Sequence, residues 1–302
     1  MKSGFAGIIG RPNVGKSTLL NSILGEKIAI ATNKPQTTRN TIRGIYTRMQ
    51  DGEPECQIVF IDTPGIHKPK NALGSYMTDV AVSTLKGVDV IIFIVDSELE
   101  DKNSGDRFIL DILKETKTPK VLVINKIDKI EPDAFERIYK CYEDMGMFDC
   151  IIGTNALEGK NVDVLLEKLE ENAEEGPMFF PPDMITDHPE RFIVSELIRE
   201  KLLLYLEEEV PHGVAVQIEQ FEESPKVTRI SAVIYCEKQS HKGIIIGQGG
   251  RKIKGIGKAA REEIEALLGT KVYLELFVKV KERWRESSVA IANFGYRKDN
   301  EF

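Results

Sequence analysis

The sequence has no long hydrophobic run; the longest, Val90 to Val95, is too short to cross a bilayer. No stretch near Met1 resembles a signal peptide either, because a glycine-rich pattern opening at Gly10 leaves room only for a short strand before it. The four cysteines, Cys56, Cys141, Cys150 and Cys236, are scattered without paired metal-ligand spacing, so reduced thiols in a cytoplasm are expected and a disulfide framework is not. The four histidines, His67, His188, His212 and His241, form no metal signature. Internal repeats and low-complexity tracts are missing as well. What remains is the composition of a globular protein of 302 residues, enough for about two domains.

The octapeptide Gly10-Arg11-Pro12-Asn13-Val14-Gly15-Lys16-Ser17 lies between the apolar run Phe5 to Ile9 and the helix-like Thr18-Leu19-Leu20-Asn21. A phosphate loop belongs where a strand turns into a helix. Gly10 and Gly15 let backbone N–H groups close round a polyphosphate, Lys16 reaches its outer oxygens, and the Ser17 hydroxyl suits Mg²⁺. The positive end of the helix macrodipole adds to the attraction.

Strand-like stretches follow at Thr41 to Met49, Gln57 to Asp62, Asp89 to Asp96, Lys120 to Asn125 and Asp149 to Gly153, with helical stretches between the later ones. That alternation predicts an α/β domain with a mostly parallel sheet and its ligands at the carboxyl ends of the strands. Two motifs fall at such ends. Asp62-Thr63-Pro64-Gly65 offers a carboxylate to the metal and a glycine N–H to the terminal phosphate. Asn125-Lys126-Ile127-Asp128 selects guanine, since a carboxylate at Asp128 accepts from the N1–H and 2-amino groups that adenine lacks. Asn125 is expected to bridge the phosphate loop and the base edge, and the Lys126 stem to cover the purine face.

In this order the motifs resemble the translation-factor-related GTPases. The resemblance implies GTP and GDP as ligands, with Thr38, in Pro35-Gln36-Thr37-Thr38-Arg39-Asn40, sensing the terminal phosphate and joining Ser17 and Asp62 at the metal. Thr154-Asn155-Ala156 matches the last base-contacting element, normally Ser-Ala; Asn155 departs from it, and the Ala156 N–H is expected at the guanine oxygen. Where many GTPases carry a water-orienting glutamine after the glycine of Asp-Thr-Pro-Gly, this chain has Ile66, which offers no side-chain hydrogen bond. Turnover is then slow, or backbone groups, a monovalent cation or a partner orient the water. Asn13 has two readings, a turn residue or a potassium ligand beside the phosphates; Lys16, Thr38 and Asn13 are the catalytic candidates.

Four prolines, Pro177, Pro181, Pro182 and Pro189, mark a linker. The boundaries expected are 1–176 for the nucleotide domain, 177–190 for the linker, 191–285 for a second domain and 286–302 for a C-terminal tail. The second domain reads helix (Arg191 to Glu209), strand (Val214 to Phe221), strand (Val227 to Cys236), short helix to Ile246, glycine loop, helix (Lys252 to Leu268), strand (Lys271 to Val280). Ser240 to Lys298 holds 13 Lys and Arg against 6 Asp and Glu, whereas the remainder holds 28 against 42, so a polyanionic partner belongs at the C-terminal end. Gly247-Gln248-Gly249-Gly250, after Ile246 and flanked by Lys242, Arg251, Lys252 and Lys254, is the GXXG by which KH domains clamp nucleotide backbones. An α+β type II KH domain binding single-stranded RNA through these residues is preferred to a plain helix–helix turn.

Across essentially all of its length the chain resembles the Era family of bacterial GTPases, through Gly10 to Asn21, Pro35 to Asn40, Asp62 to Lys70, Asn125 to Asp128 and Ile245 to Gly257. The resemblance implies a monomer acting in small (30S) ribosomal subunit assembly, a KH domain on the 3′ end of 16S ribosomal RNA, and peripheral contact with the cell membrane. The cationic run Lys279 to Arg285 suits RNA or anionic lipid. An RNA-binding module that uses GTP only as a structural ligand is the alternative, kept open by Ile66. If Asp128 reads guanine, Asp128→Asn shifts preference towards xanthine, whose 2-oxygen accepts from a side-chain amide; competition between GTP and xanthosine triphosphate measures it, and unchanged GTP preference refutes the assignment.

Overall fold

Strands buried on both faces need near-continuous apolar sequence, and the first half of the chain supplies it. In the computed structural model, which describes residues 1–96 and 104–297, the first unit comprises β1 (Lys2–Ile9), α1 (Lys16–Leu24), β2 (Ile42–Gln50), β3 (Glu53–Asp62), α2 (Ala72–Thr84), β4 (Val90–Asp96), α3 (Ser104–Lys114), β5 (Lys120–Asn125), α4 (Pro132–Glu143), β6 (Cys150–Thr154), α5 (Val162–Asn172) and β7 (Glu174–Glu175). The sheet order is β2-β3-β1-β4-β5-β6, parallel except for β2 on β3, with β7 pairing antiparallel to β1. Strand residues alternate between two cores: Ile8 packs with Leu19, Leu20, Leu165 and Leu169 on the α1 and α5 side, and Ile9 with Ile109, Leu113 and Ile138 on the α3 and α4 side.

Parallel register aligns the strand ends. Ile8 lies opposite Asp62, Ile9 opposite Phe93, Asp96 opposite Asn125, and Asn125 opposite Thr154. The phosphate loop, Asp62 to Gly65, Asn125 to Asp128 and Thr154 to Ala156 therefore gather along one edge of the sheet. Edge strand β2 is covered by the proline-rich segment: Ile45 N–H donates to Ile185 O at 2.8 Å, and Thr186 Oγ1 donates to Arg43 O at 2.7 Å. The buried Gln57 amide ties the same segment to β3 through Phe179 N, Phe180 N and Phe180 O.

The second unit runs α6 (Glu190–Tyr205), β8 (Ala215–Glu222), β9 (Val227–Cys236), α7 (Gln239–Ile246), α8 (Arg251–Leu268) and β10 (Lys271–Val280), with sheet order β10-β9-β8. β10 and β9 are parallel, β9 and β8 antiparallel. Helix α6 stops at Tyr205 and not at Glu209. Leu206 is extended, and Glu207 to Glu209 would have set three carboxylates against the negative end of the helix dipole.

Within the stretch read as a tail lies α9 (Ser288–Asn293), capped by Ser287 Oγ accepting from Ala290 N–H. It helps to join the two units. Leu73, Tyr76, Met77 and Val80 of α2 form one core with Ala215, Trp284, Ala290, Ile291 and Tyr296. Trp284 is fully buried, its indole donating to Gly213 O at 2.9 Å.

Candidate nucleotide site and RNA clamp

The phosphate loop leaves β1 at Gly10 and enters α1 through Gly15, whose φ of 104° is left-handed. A Cβ there would lie 2.2 Å from Asn125 Nδ2, so glycine lets the base loop touch the phosphate loop. No side chain caps α1, and its first residues, Lys16 to Thr18, line a cavity of about 300 Å³. Pro12, Asn13, Gly15, Lys16, Ser17, Thr18, Thr38, Gly65, Asn125, Lys126, Asp128 and Asn155 all line it. Residues drawn from the whole length of the first unit thus converge on one space.

Others act from behind the wall. Arg11 turns away, donating to Asp106 at 2.8 Å and Asp96 at 3.1 Å, and so pins the loop to α3 and β4. Val14 is buried, and its carbonyl accepts from Asn125 Nδ2 at 2.9 Å. Thr63 Oγ1 donates to Ile8 O at 2.8 Å, and Ile66 N–H to Gly10 O at 3.1 Å, so the turn through Pro64 is stitched to the phosphate loop. The Ile66 side chain is wholly buried in the core on the α3 side and so offers nothing to the cavity.

At the metal end Ser17 Oγ donates to Asp62 Oδ2 at 2.6 Å and lies 2.8 Å from Thr38 Oγ1. Asp62 Oδ1 is buried with no protein partner. Two hydroxyls and a carboxylate with a spare oxygen form a hard-oxygen set that fits Mg²⁺. Burial raises the Asp62 carboxyl to about 6, opposed by Lys16, and lowers the Lys16 ammonium to about 8, opposed by Asp62. The Lys16 ammonium meanwhile bonds to Gly10 O at 3.2 Å and Arg11 O at 2.8 Å.

At the base end Asn125 Oδ1 accepts from Thr154 Oγ1 at 3.1 Å and from the Ala156 N–H at 3.0 Å. That N–H, expected at a guanine oxygen, is therefore engaged by Asn125. Lys126 reaches back to Asn13 O at 2.7 Å, and Asn155 Nδ2 donates to Glu158 at 2.9 Å. Asn13, at φ 67°, donates its amide to Asn33 O at 2.8 Å.

Sequence reasoning missed most of the loop from Ile30 to Thr37, which forms one wall of the cavity and has no periodicity to signal it. The second unit grips this loop. Ala31 N–H donates to Glu200 Oε1 at 3.2 Å, Lys27 bonds Glu200 at 2.7 Å and Glu263 at 2.9 Å, and Lys34 donates to Leu206 O. Arg199 donates to Thr37 O while paired with Glu196. Arg39, 1% exposed, donates to Val214 O at 2.6 Å, His212 O at 3.0 Å and Tyr296 OH at 3.2 Å, its guanidinium 5.7 Å and 5.9 Å from the Trp284 and Tyr296 ring centres.

The glycine loop joins α7 to α8 through a 3-10 turn at Gln248–Gly250. Gly247, Gly249 and Gly250 have φ of 70°, 59° and 75°, and no side chain caps the 18-residue α8. A Cβ on Gly247 would lie 2.7 Å from Lys252 Cβ, whereas one on Gly249 would meet nothing within 4 Å. Lys242 and Lys252 are half-buried, Lys254 is exposed, and Arg251 is folded back on Gln248. Half-buried Ile246, Ile253 and exposed Ile244 supply apolar surface beside the loop.

The Asp62 carboxyl carries a testable sign. Its folded value lies above 3.8, so stability falls as pH rises from 3.8 to about 6 and the buried group ionises. Asp62→Asn removes that loss. In ligand-free protein the thermal midpoint of the variant should gain on the unmodified chain by a few degrees across that window, while Mg²⁺ ceases to strengthen GTP binding. A difference in midpoint that stays constant with pH refutes this.

A sequence profile described as "50S ribosome-binding GTPase" matches residues 5–126, and one described as "KH domain" matches residues 209–285. The chain is 57% identical over 297 residues to the GTPase Era of Alkaliphilus oremlandii and 54% identical over 298 to that of Clostridioides difficile, covering 98% of this chain in each case and 99% and 98% of theirs. Among solved structures it is similar to Aquifex aeolicus Era, a tyrosine-to-alanine variant bound to GDP·AlF4⁻, at TM-score 0.92 and 39% identity over 98% of this chain and 99% of that one. An Era complex with MgGDPNP and nucleotides 1506–1542 of 16S ribosomal RNA has the same TM-score, identity and coverage. With both of its domains matched and nearly its full length aligned at more than half identity, the chain belongs to the Era family of GTPases.

Proposed function

We propose that this chain is a GTP-hydrolysing switch that binds the 3′ end of 16S ribosomal RNA and acts in assembly of the small ribosomal subunit. The observation that carries this reading is the grip of the second unit on the loop bearing Thr38, through which nucleotide state would bear on RNA access. The relatives support it: one Era structure holds a GTP analogue with magnesium and a 16S fragment, another GDP·AlF4⁻. In the proposed roles Gly10 to Thr18 and Asp62 to Gly65 surround the phosphates, Ser17, Thr38 and Asp62 hold Mg²⁺, and Asn125 to Asp128 with Asn155 hold guanine. Bound Mg²⁺ supplies charge neutralisation between the outer phosphates. Residues 1–176 act as the nucleotide domain and 191–285 as the KH domain, with α9 and Tyr296 bracing the two.

Three finer readings accompany this. Potassium sits beside Asn13, whose amide turns to present oxygen in place of its bond to Asn33 O; hydrolysis is then faster in potassium than in sodium at equal ionic strength, and Asn13→Ala abolishes the difference. Equal rates in both salts refute it. The protein works in the cytoplasm as a 30S-associated monomer. Peripheral contact with anionic lipid rests on the run from Lys279 to Arg285, where Lys279 and Arg285 are already paired with Glu219 and Glu237. No helix among the described residues is long and apolar enough to cross a membrane.

Single-turnover GTP hydrolysis with and without a 16S 3′-end oligonucleotide separates the switch from a module holding GTP only structurally. RNA-dependent acceleration supports the switch; no hydrolysis in either condition supports the module. Gly249→Asp is the companion variant, since its side chain meets no neighbour and the backbone stays left-handed, which aspartate tolerates. It should abolish RNA binding by repelling phosphate and leave basal hydrolysis within about twofold. For the unmodified chain, RNA affinity falls with salt at a log–log slope of about 0.7 per phosphate neutralised.

A further inference from the structure

Ile66 leaves the attacking water without its usual amide, yet a glutamine does line the cavity from another direction. Gln36 lies in the loop between α1 and β2, two residues before Thr38, and shares the cavity wall with Gly65, Lys16 and Thr38. Its φ of 62° is left-handed, a conformation glutamine rarely adopts. The Nε2 atom lies 3.5 Å from His67 Nε2, and Oε1 is buried with no protein partner. His67 in turn places Nδ1 3.1 Å from Gly65 O.

These contacts set the polarity of the chain. A carbonyl oxygen only accepts, so His67 Nδ1 carries the proton and donates to Gly65 O. In the tautomer with its single proton on Nδ1, His67 keeps a lone pair on Nε2, which accepts from the Gln36 amide N–H. The amide can satisfy that acceptor only with its nitrogen towards His67, which leaves its oxygen buried and unpaired in a residue that lines the cavity. A buried, unpaired carbonyl is costly unless a ligand satisfies it.

We propose that Gln36 is the catalytic amide that orients the attacking water, and that His67 positions it. Hydrolysis adds the water oxygen to the terminal phosphorus and breaks the bond from that phosphorus to the bridging oxygen. GDP leaves with the electron pair, and the water's proton ends on the released phosphate. Gln36 takes no proton. Its Oε1 accepts a hydrogen bond from the water and so directs the oxygen lone pair at phosphorus. Gly65, which supplies an N–H to the terminal phosphate on one side, holds His67 through its carbonyl on the other, so a single residue joins phosphate and amide.

This inference rests on the reading of the chain as a GTP hydrolase, and the test separates the two. Absence of hydrolysis by the unmodified chain, with or without RNA, overturns the hydrolase reading before any variant is made. Given hydrolysis, Gln36→Met keeps the length of the side chain and removes the amide. It should slow single-turnover hydrolysis about 100-fold, with GTP and GDP affinities within about threefold. His67→Phe should slow it about tenfold, and the double variant should be no slower than Gln36→Met alone, because His67 acts only through the amide. An unchanged rate in Gln36→Met, a rate lost together with GTP affinity, or losses that multiply in the double variant would each overturn the role of Gln36.

Discussion

Two buried guanidinium groups decide the shape of the loop that carries Thr38. Arg199 reaches from α6 to the carbonyl of Thr37, and Arg39 reaches from the loop into the carbonyls at the start of β8 and the aromatic pair Trp284 and Tyr296. They flank Thr38 on either side. With both neighbours held, the Thr38 hydroxyl is kept beside Ser17 and Asp62. Burying charge costs free energy that the partner groups only partly return, so these contacts contribute conformational specificity more than stability. Any ligand that favours this loop position also favours docking of the second unit, and the reverse holds to the same degree.

The same preference for function over stability runs through the nucleotide site. Asp62 and Lys16 are shifted towards neutrality by burial, and an oxygen of Asp62 has no protein partner. A metal at Asp62 and a polyphosphate at Lys16 would offset each of these. The core beneath is conventional by contrast. Apolar strands align their ends, and the polar groups sit where the backbone leaves the sheet.

The fold of both units was legible because its signals are local. Glycine and lysine spacing placed the phosphate loop, apolar runs gave six of the sheet's seven strands within a few residues, and the GXXG with its flanking cations placed the clamp. What escaped depends on contacts far apart in sequence. Arg39 meets Val214 and Tyr296, and Arg199 meets Thr37; no window of residues contains both partners. Helix α9 is too short for periodicity to show, and only the aromatic spacing of Trp284, Phe294 and Tyr296 hints at a buried face. The bond from the Ala156 N–H to the side chain of Asn125, set by register between β5 and β6, is another such distant contact.

Trp284 and Tyr296 leave the ribosome long after the loop they help to hold. Domains fold as units as they emerge, N-terminal first. The nucleotide half can therefore acquire its sheet and its phosphate loop while Arg39 still lacks its aromatic cage. During that interval the cavity exists without the contacts that tie Arg39 to Val214 and Tyr296. The hold on that loop is in this sense completed only when Trp284 and Tyr296 close over a residue made some 250 positions earlier.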